Sequence, residues 1–228
     1  MRFVDRVADY AVAVTTSLNS LLPRPVQQVL TPATGVPVVL VPGVWENSRY
    51  LTGLADWLRG QGHTVHVVPG LGWNIGSIGR GARIVAAELD RLGLDQVLLV
   101  AHSKGGLIGK QVMLDPQQGG RVLGLVAVAT PFAGSRYANW MLPGTGLRNL
   151  RPQNAAIVAL AGQLEVNSRI VLVHPRIDPH VPDGFSLPGA ADEIEIDTTG
   201  HFRVLDDPRA RRAILGGLRL LADQARQQ

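Results

Sequence analysis

The chain has 228 residues, 46% of them apolar and 18% charged, which fits one globular domain and excludes a disordered chain. It has no cysteine, so disulfides, thiolate chemistry and zinc–cysteine sites are excluded. The net charge of +4 is carried almost wholly by arginine; the arginines are scattered apart from Arg209, Arg211 and Arg212, so no nucleic-acid partner is expected.

Residues 4–22 read as an amphipathic helix, with Val4, Val7, Ala8, Ala11, Val12, Thr15, Leu18 and Leu22 on one face. Pro23 and Pro25 end it. Packing on the following domain is its expected role, with contact to a membrane surface as the alternative. Asp5, Arg6 and Asp9 interrupt what would be a signal peptide. No apolar run approaches the roughly 20 residues of a membrane span. A cytoplasmic protein is expected.

From residue 36 the pattern alternates. Apolar runs at 36–41, 64–68, 96–101, 122–129, 169–174 and 193–197 predict six strands, the first five rich in β-branched residues and leucine. Helical stretches fall near 50–60, 79–92, 104–114 and 152–161, and a last helix near 207–223 opens on Asp207-Pro208. This order predicts an α/β fold, a mainly parallel sheet with helices on both faces. The functional site then lies beyond the carboxyl ends of the strands. The division is 1–35 as N-terminal helix and linker, and 36–228 as one catalytic domain. Its insertion at about 133–165 is long for a strand–helix–strand connection, so it reads as a small cap or as a surface loop with one helix.

The segment Ala101-His102-Ser103-Lys104-Gly105-Gly106 joins a predicted strand to a predicted helix. A sharp turn there holds a serine hydroxyl out above the sheet, and residues two away must be small to clear the adjoining elements. The helix N-terminus favours developing negative charge. Ser103 is therefore the candidate nucleophile. The side chain of Lys104 is expected in solvent, and His102 is expected to pack away from the hydroxyl.

A serine nucleophile needs a base, and the base an orienting acid, usually in the chain order Ser, acid, His on such a sheet. Of six histidines, His63 and His66 precede the serine, and His174 and His180 flank the acid candidate. His201 follows the last strand, where Gly200 allows a tight loop, and is the expected base. Asp178, on the loop after the penultimate strand, is the expected acid; Asp183 and Asp197 are rivals. The oxyanion hole should take one N–H from Lys104 and one from the loop Pro42-Gly43-Val44-Trp45, with Val44 chosen and Trp45 the alternative. Gly70-Leu71-Gly72-Trp73-Asn74-Ile75-Gly76 imitates a dinucleotide fingerprint, but its spacing is one residue too long. Trp45, Trp73, Phe132, Trp140, Met141 and Leu142 lie on loops expected near the site and suit an apolar substrate.

Together with Val38-Val39-Leu40-Val41-Pro42-Gly43 and Ala129-Thr130-Pro131-Phe132-Ala133-Gly134-Ser135, these segments resemble the α/β-hydrolase superfamily, and within it the small bacterial lipases and esterases. Asp178 with Val181-Pro182 is similar to the family's acid loop. Two residues depart from the pattern: Pro42 stands where the oxyanion loop often has histidine, and Phe132 stands where histidine is common. The sheet looks like a minimal version lacking the first two strands. The resemblance implies ester cleavage through an acyl-enzyme by Ser103, His201 and Asp178, on a small-molecule or lipid ester and without a cofactor or metal. Acyl transfer, thioester or amide cleavage by the same residues, and a non-catalytic binding role, are the alternatives.

Overall fold

The computed structural model describes residues 3–21 and 35–227. Six strands form one wholly parallel sheet: β1 (Val38–Val41), β2 (Val65–Val67), β3 (Val97–His102), β4 (Val122–Val128), β5 (Ile170–Ile177) and β6 (Asp192–Thr199), in the order β2-β1-β3-β4-β5-β6. The sheet reverses direction of growth between β1 and β3, where a crevice opens at the carboxyl edge.

Alternation along each strand explains the layers, because successive side chains point to opposite faces. Val39, Val41, Leu99, Ala101, Leu125 and Leu172 pack on one face under α3 (Ile78–Leu92), α4 (Lys104–Met113) and α5 (Ala155–Gly162). Val38, Leu40, Leu98, Val100, Val126 and Val173 pack on the other under α2 (Thr52–Gly60) and α6 (Pro208–Arg226). Both faces are covered, so the central strands are apolar throughout. The edges are blunted differently: β2 has three residues, and β6 carries Asp192, Glu193, Glu195 and Asp197. Asp207 caps α6 by accepting from the Arg209 N–H (2.8 Å). In the arginine cluster, Arg209 pairs with Asp207 and Arg211 with Asp206.

The N-terminal helix α1 (Phe3–Leu21) lies at the carboxyl edge, and of the described residues of its apolar stripe only Ala8 and Val12 are half-buried. Ala11, Thr15 and Leu18 are exposed, whereas Asp9 and Ser20 are buried. Polar contacts hold this helix, which a count of apolar periodicity cannot register. The side chains of Val4 and Val7, and Leu22, Pro23 and Pro25, lie outside the described residues. Among the described residues no helix is long and apolar enough to cross a membrane.

Candidate active site

The turn from β3 to α4 leaves Ser103 at φ 51°, ψ −123°, a conformation sparsely populated by L-residues. It persists because both flanks are packed. A Cβ on Gly105 would run into the Val41 carbonyl, and one on Gly106 into the Thr130 side chain. The Ser103 N–H is tied to the Val128 carbonyl (2.8 Å). The hydroxyl is thereby aimed at the loop that follows β6.

The structure brings Ser103, His201 and Asp178 together. Ser103 Oγ lies 2.9 Å from His201 Nε2, and His201 Nδ1 donates to Asp178 Oδ2 at 2.6 Å. With its Nδ1 proton held by the carboxylate, His201 presents the Nε2 lone pair to the hydroxyl. Asp178 Oδ1 accepts from the N–H groups of His180 (2.7 Å) and Val181 (3.2 Å), so the acid loop folds around its own carboxylate. Burial disfavours the charged imidazole, but Asp178 beside it, with Glu46 and Asp9 farther off, holds the His201 pKa above that of free histidine. Burial would raise the Asp178 carboxyl; the His201 charge and the hydrogen bonds outweigh it and hold the pKa below the usual value.

The rivals lie elsewhere. Asp183 pairs with Arg136, and Asp197 with Arg176 on the exposed edge. His180 sits against the His201 ring, 5.0 Å between centroids; burial and the neighbouring His201 push it down to about 4. Its Nε2 accepts from the Tyr10 hydroxyl (3.0 Å). Among the described residues, Asp178, His180 and His201 alone group ligand atoms within 4.8 Å in a way that could hold a metal ion. An ion there would have to displace the proton between His201 and Asp178.

The oxyanion loop is braced by a residue the sequence did not single out. Gly43 N–H donates to Glu46 Oε2 (2.6 Å), and the missing Cβ of Gly43 leaves room for that carboxylate. Gly43 thus makes space for Glu46. Asn74 Nδ2 donates to the Pro42 carbonyl from the other side (2.8 Å). Trp45, at φ 62°, donates its N–H to the Trp73 carbonyl (2.8 Å). The Trp45 N–H is thereby committed to the loop after β2.

Two neighbours of the serine differ from expectation. His102 does point away from the hydroxyl, but it is no mere packing residue: a proton lies between its Nδ1 and Glu46 Oε1 (2.6 Å), and its Nε2 donates to the His201 carbonyl (3.0 Å). The Lys104 side chain is buried, not solvated. Its Nζ donates to the carbonyls of Asn74 (2.6 Å) and Gly76 (2.5 Å) and to Asn74 Oδ1 (3.2 Å). Burial pushes this amine down to about 8. The helix start turns Lys104 inward, and the loop after β2 offers carbonyls that need donors.

A cavity of about 500 Å³ opens over Ser103 and His201. Its walls come from α1 (Tyr10, Val14, Leu18), from Val44 and Trp45, and from Met141 and Leu147 in the segment after β4. Of the aromatic residues expected at the substrate, Trp45 lines it. Phe132 is buried in the core with Lys110 over its ring. Trp73 and Trp140 are exposed and outside the cavity wall. The segment after β4 is two short 3₁₀ turns, Arg136–Trp140 and Leu147–Leu150, followed by α5.

No protein-family model matches the chain, nor does any curated protein. Solved structures do. A metagenomic carboxyl esterase superimposes with a TM-score of 0.65 at 17% identity, over 88% of this chain and 79% of that one. An α/β-hydrolase enzyme from the metagenome of lagoon sediments of Mar Chica, Morocco, gives 0.59 at 20% identity, over 81% and 90%. The monoacylglycerol lipase of Paleococcus ferrophilus gives 0.55 at 16% identity, over 81% and 95%. The chain has the α/β-hydrolase fold.

Proposed function

We propose that this protein is a serine hydrolase that cleaves carboxylic esters through an acyl-enzyme. The contact from Ser103 Oγ to His201 Nε2 at 2.9 Å, made by a serine held at φ 51°, carries this reading. His201 takes the hydroxyl proton as Ser103 Oγ attacks the ester carbonyl carbon. The N–H groups of Val44 and Lys104 receive the oxyanion, aided by the start of α4. Asp178 stabilises the imidazolium. The tetrahedral intermediate collapses, the carbonyl re-forms, and the alkoxide leaves with the proton from His201. Water, deprotonated by the same imidazole, then releases the acid and restores Ser103.

The apolar cavity, with Val14, Leu18 and Trp45 both lining it and exposed, favours esters of apolar acids, lipid esters included. The rim on α1 supports contact with a lipid surface. A fluorophosphonate probe tests the nucleophile: labelling confined to Ser103 is expected, and folded protein that stays unlabelled would overturn the reading. A chain-length series of p-nitrophenyl esters tests the cavity. Activity confined to the acetate would remove the lipid-ester assignment.

A further inference from the structure

The helix α1 is attached to the domain by its polar side chains, and the strongest attachment falls on the loop of the expected base. Asp9 is buried. Its Oδ2 accepts the N–H of His201 itself (2.9 Å), and its Oδ1 accepts those of Phe202 (2.9 Å) and Arg203 (3.1 Å). Those residues open the 3₁₀ turn Arg203–Asp206, whose first N–H groups have no partner within the turn. Gly200 has φ +120°, and a Cβ there would run into the Asp9 carboxylate. The adjacent Tyr10 reaches the acid loop through His180. Ser20, near the far end of α1, accepts from Asn47 Nδ2 (2.8 Å), just past the oxyanion loop. The helix is flanked by cavities: the one over Ser103 and another of about 370 Å³ lined by Val12, Thr16 and Asn19. Among the described residues of α1 only Asp9 and Ser20 are buried, so these polar contacts help set where it sits.

We propose that Asp9 is a positioning residue for the reaction: its carboxylate, delivered by α1, holds the backbone of His201 so that the imidazole meets Ser103. The proposal rests on the hydrolase reading above. A carboxylate suits the task because two anionic oxygens satisfy three N–H donors at once. An amide in its place offers a single oxygen and turns N–H groups toward N–H groups. Asp9 also adds negative charge near an imidazole already faced by Asp178 and His180 from the acid loop, Glu46 from the loop after β1, and His102 from β3.

The test uses the full chain and Asp9→Asn, with p-nitrophenyl acetate turnover measured across pH. The kcat should fall at least about tenfold while KM for this small ester holds. The acid limb of kcat/KM should move to lower pH, because a negative charge near His201 has gone. A helix that merely docks would lower the melting temperature and leave that limb in place. Asp9→Glu, which keeps the charge, should keep the limb near its wild-type position. Ser20→Ala, which loosens α1 at its other end, should leave the pH profile unmoved. Thermal melts check folding; should Asp9→Asn not fold, Asp9→Ser, still able to accept one N–H, is read in the same way. Wild-type kcat and an unmoved acid limb in the substituted enzyme would overturn the proposal. An inactive, unlabelled wild type would instead overturn the hydrolase reading. In that event the His201 titration followed by NMR still decides: a lower midpoint in Asp9→Asn supports the coupling, and equal midpoints refute it.

Discussion

Glu46 Oε1 lies 2.6 Å from His102 Nδ1, both side chains buried, and the pair links the two halves of the site. The other Glu46 oxygen holds Gly43 on the oxyanion loop, and the other His102 nitrogen holds the carbonyl of His201. A displacement of one loop is therefore felt by the other. Such buried networks are stiff when every member is satisfied and costly when one is removed.

Glu46→Ala is expected to lower kcat on the order of 10- to 100-fold with a smaller change in KM, since misplacement of reacting groups falls on the transition state. Steady-state kinetics read the split. The melting temperature should also drop, by the equivalent of about 2 kcal/mol, because Gly43 N–H and His102 Nδ1 both lose their buried partner. Unchanged kinetics would mean that the two loops are held independently.

Ser103→Ala should abolish turnover and probe labelling while the fold survives. Ser103→Gly should go further and raise stability by about 1 kcal/mol, because glycine adopts φ 51° without strain. Denaturant melts of the three proteins test this. A destabilised Ser103→Gly would show that the turn holds no strain.

The pH profile has a defined sign. As the base of the proposed reaction His201 would work only as neutral imidazole, and its pKa is raised above the ordinary 6.5. The acid limb of kcat/KM should accordingly lie above 6.5, with activity lost as pH falls through the raised value. Asp178→Asn removes the charge beside it and should move that limb lower. The same change should cut kcat by about 10⁴-fold, the scale seen when a base loses its orienting acid.

Lys110 is buried over Phe132, and burial pushes its amine down to about 8 from 10.5. Below 8 both the folded and the unfolded chain carry the proton, so folding bears the full cost of a buried cation. Between 8 and 10.5 the folded chain has released the proton that the unfolded one still holds, so stability rises with pH. Lys110→Met should stabilise the protein by about 1 kcal/mol at pH 7, and the gain should shrink as pH climbs through that window. Melts at pH 7 and pH 10 give the comparison.

On the cavity wall, Leu18→Glu should depress kcat/KM for long-chain p-nitrophenyl esters several-fold and leave the acetate nearly unchanged. Uniform loss across the series would place the acyl chain elsewhere.

The sequence by itself determined the sheet, because strands buried on both faces must be apolar runs, and those runs are contiguous in the chain. It also pointed to Ser103, Asp178 and His201 as candidates, since each follows a strand's carboxyl end and they come in the chain order Ser, acid, His that is usual on such a sheet. The turn chemistry at Ser103-Lys104-Gly105 is likewise a local matter of steric room. What the tertiary structure decided is how those loops are held. Glu46 meets His102 across 56 residues, Asn74 meets Pro42 across 32, and Asp9 meets His201 across 192. None of these pairings has a periodicity, because a buried carboxylate is specified by the donors that surround it after folding. Lys104 departs from the expected solvent position for the same reason: a lysine is ordinarily solvated, and only the arrival of the Asn74 and Gly76 carbonyls makes burial tolerable. The helix α1 was legible as a helix from its own residues, but its polar seat at Asp9 and its apolar face toward the cavity exist only where the chain closes back on itself.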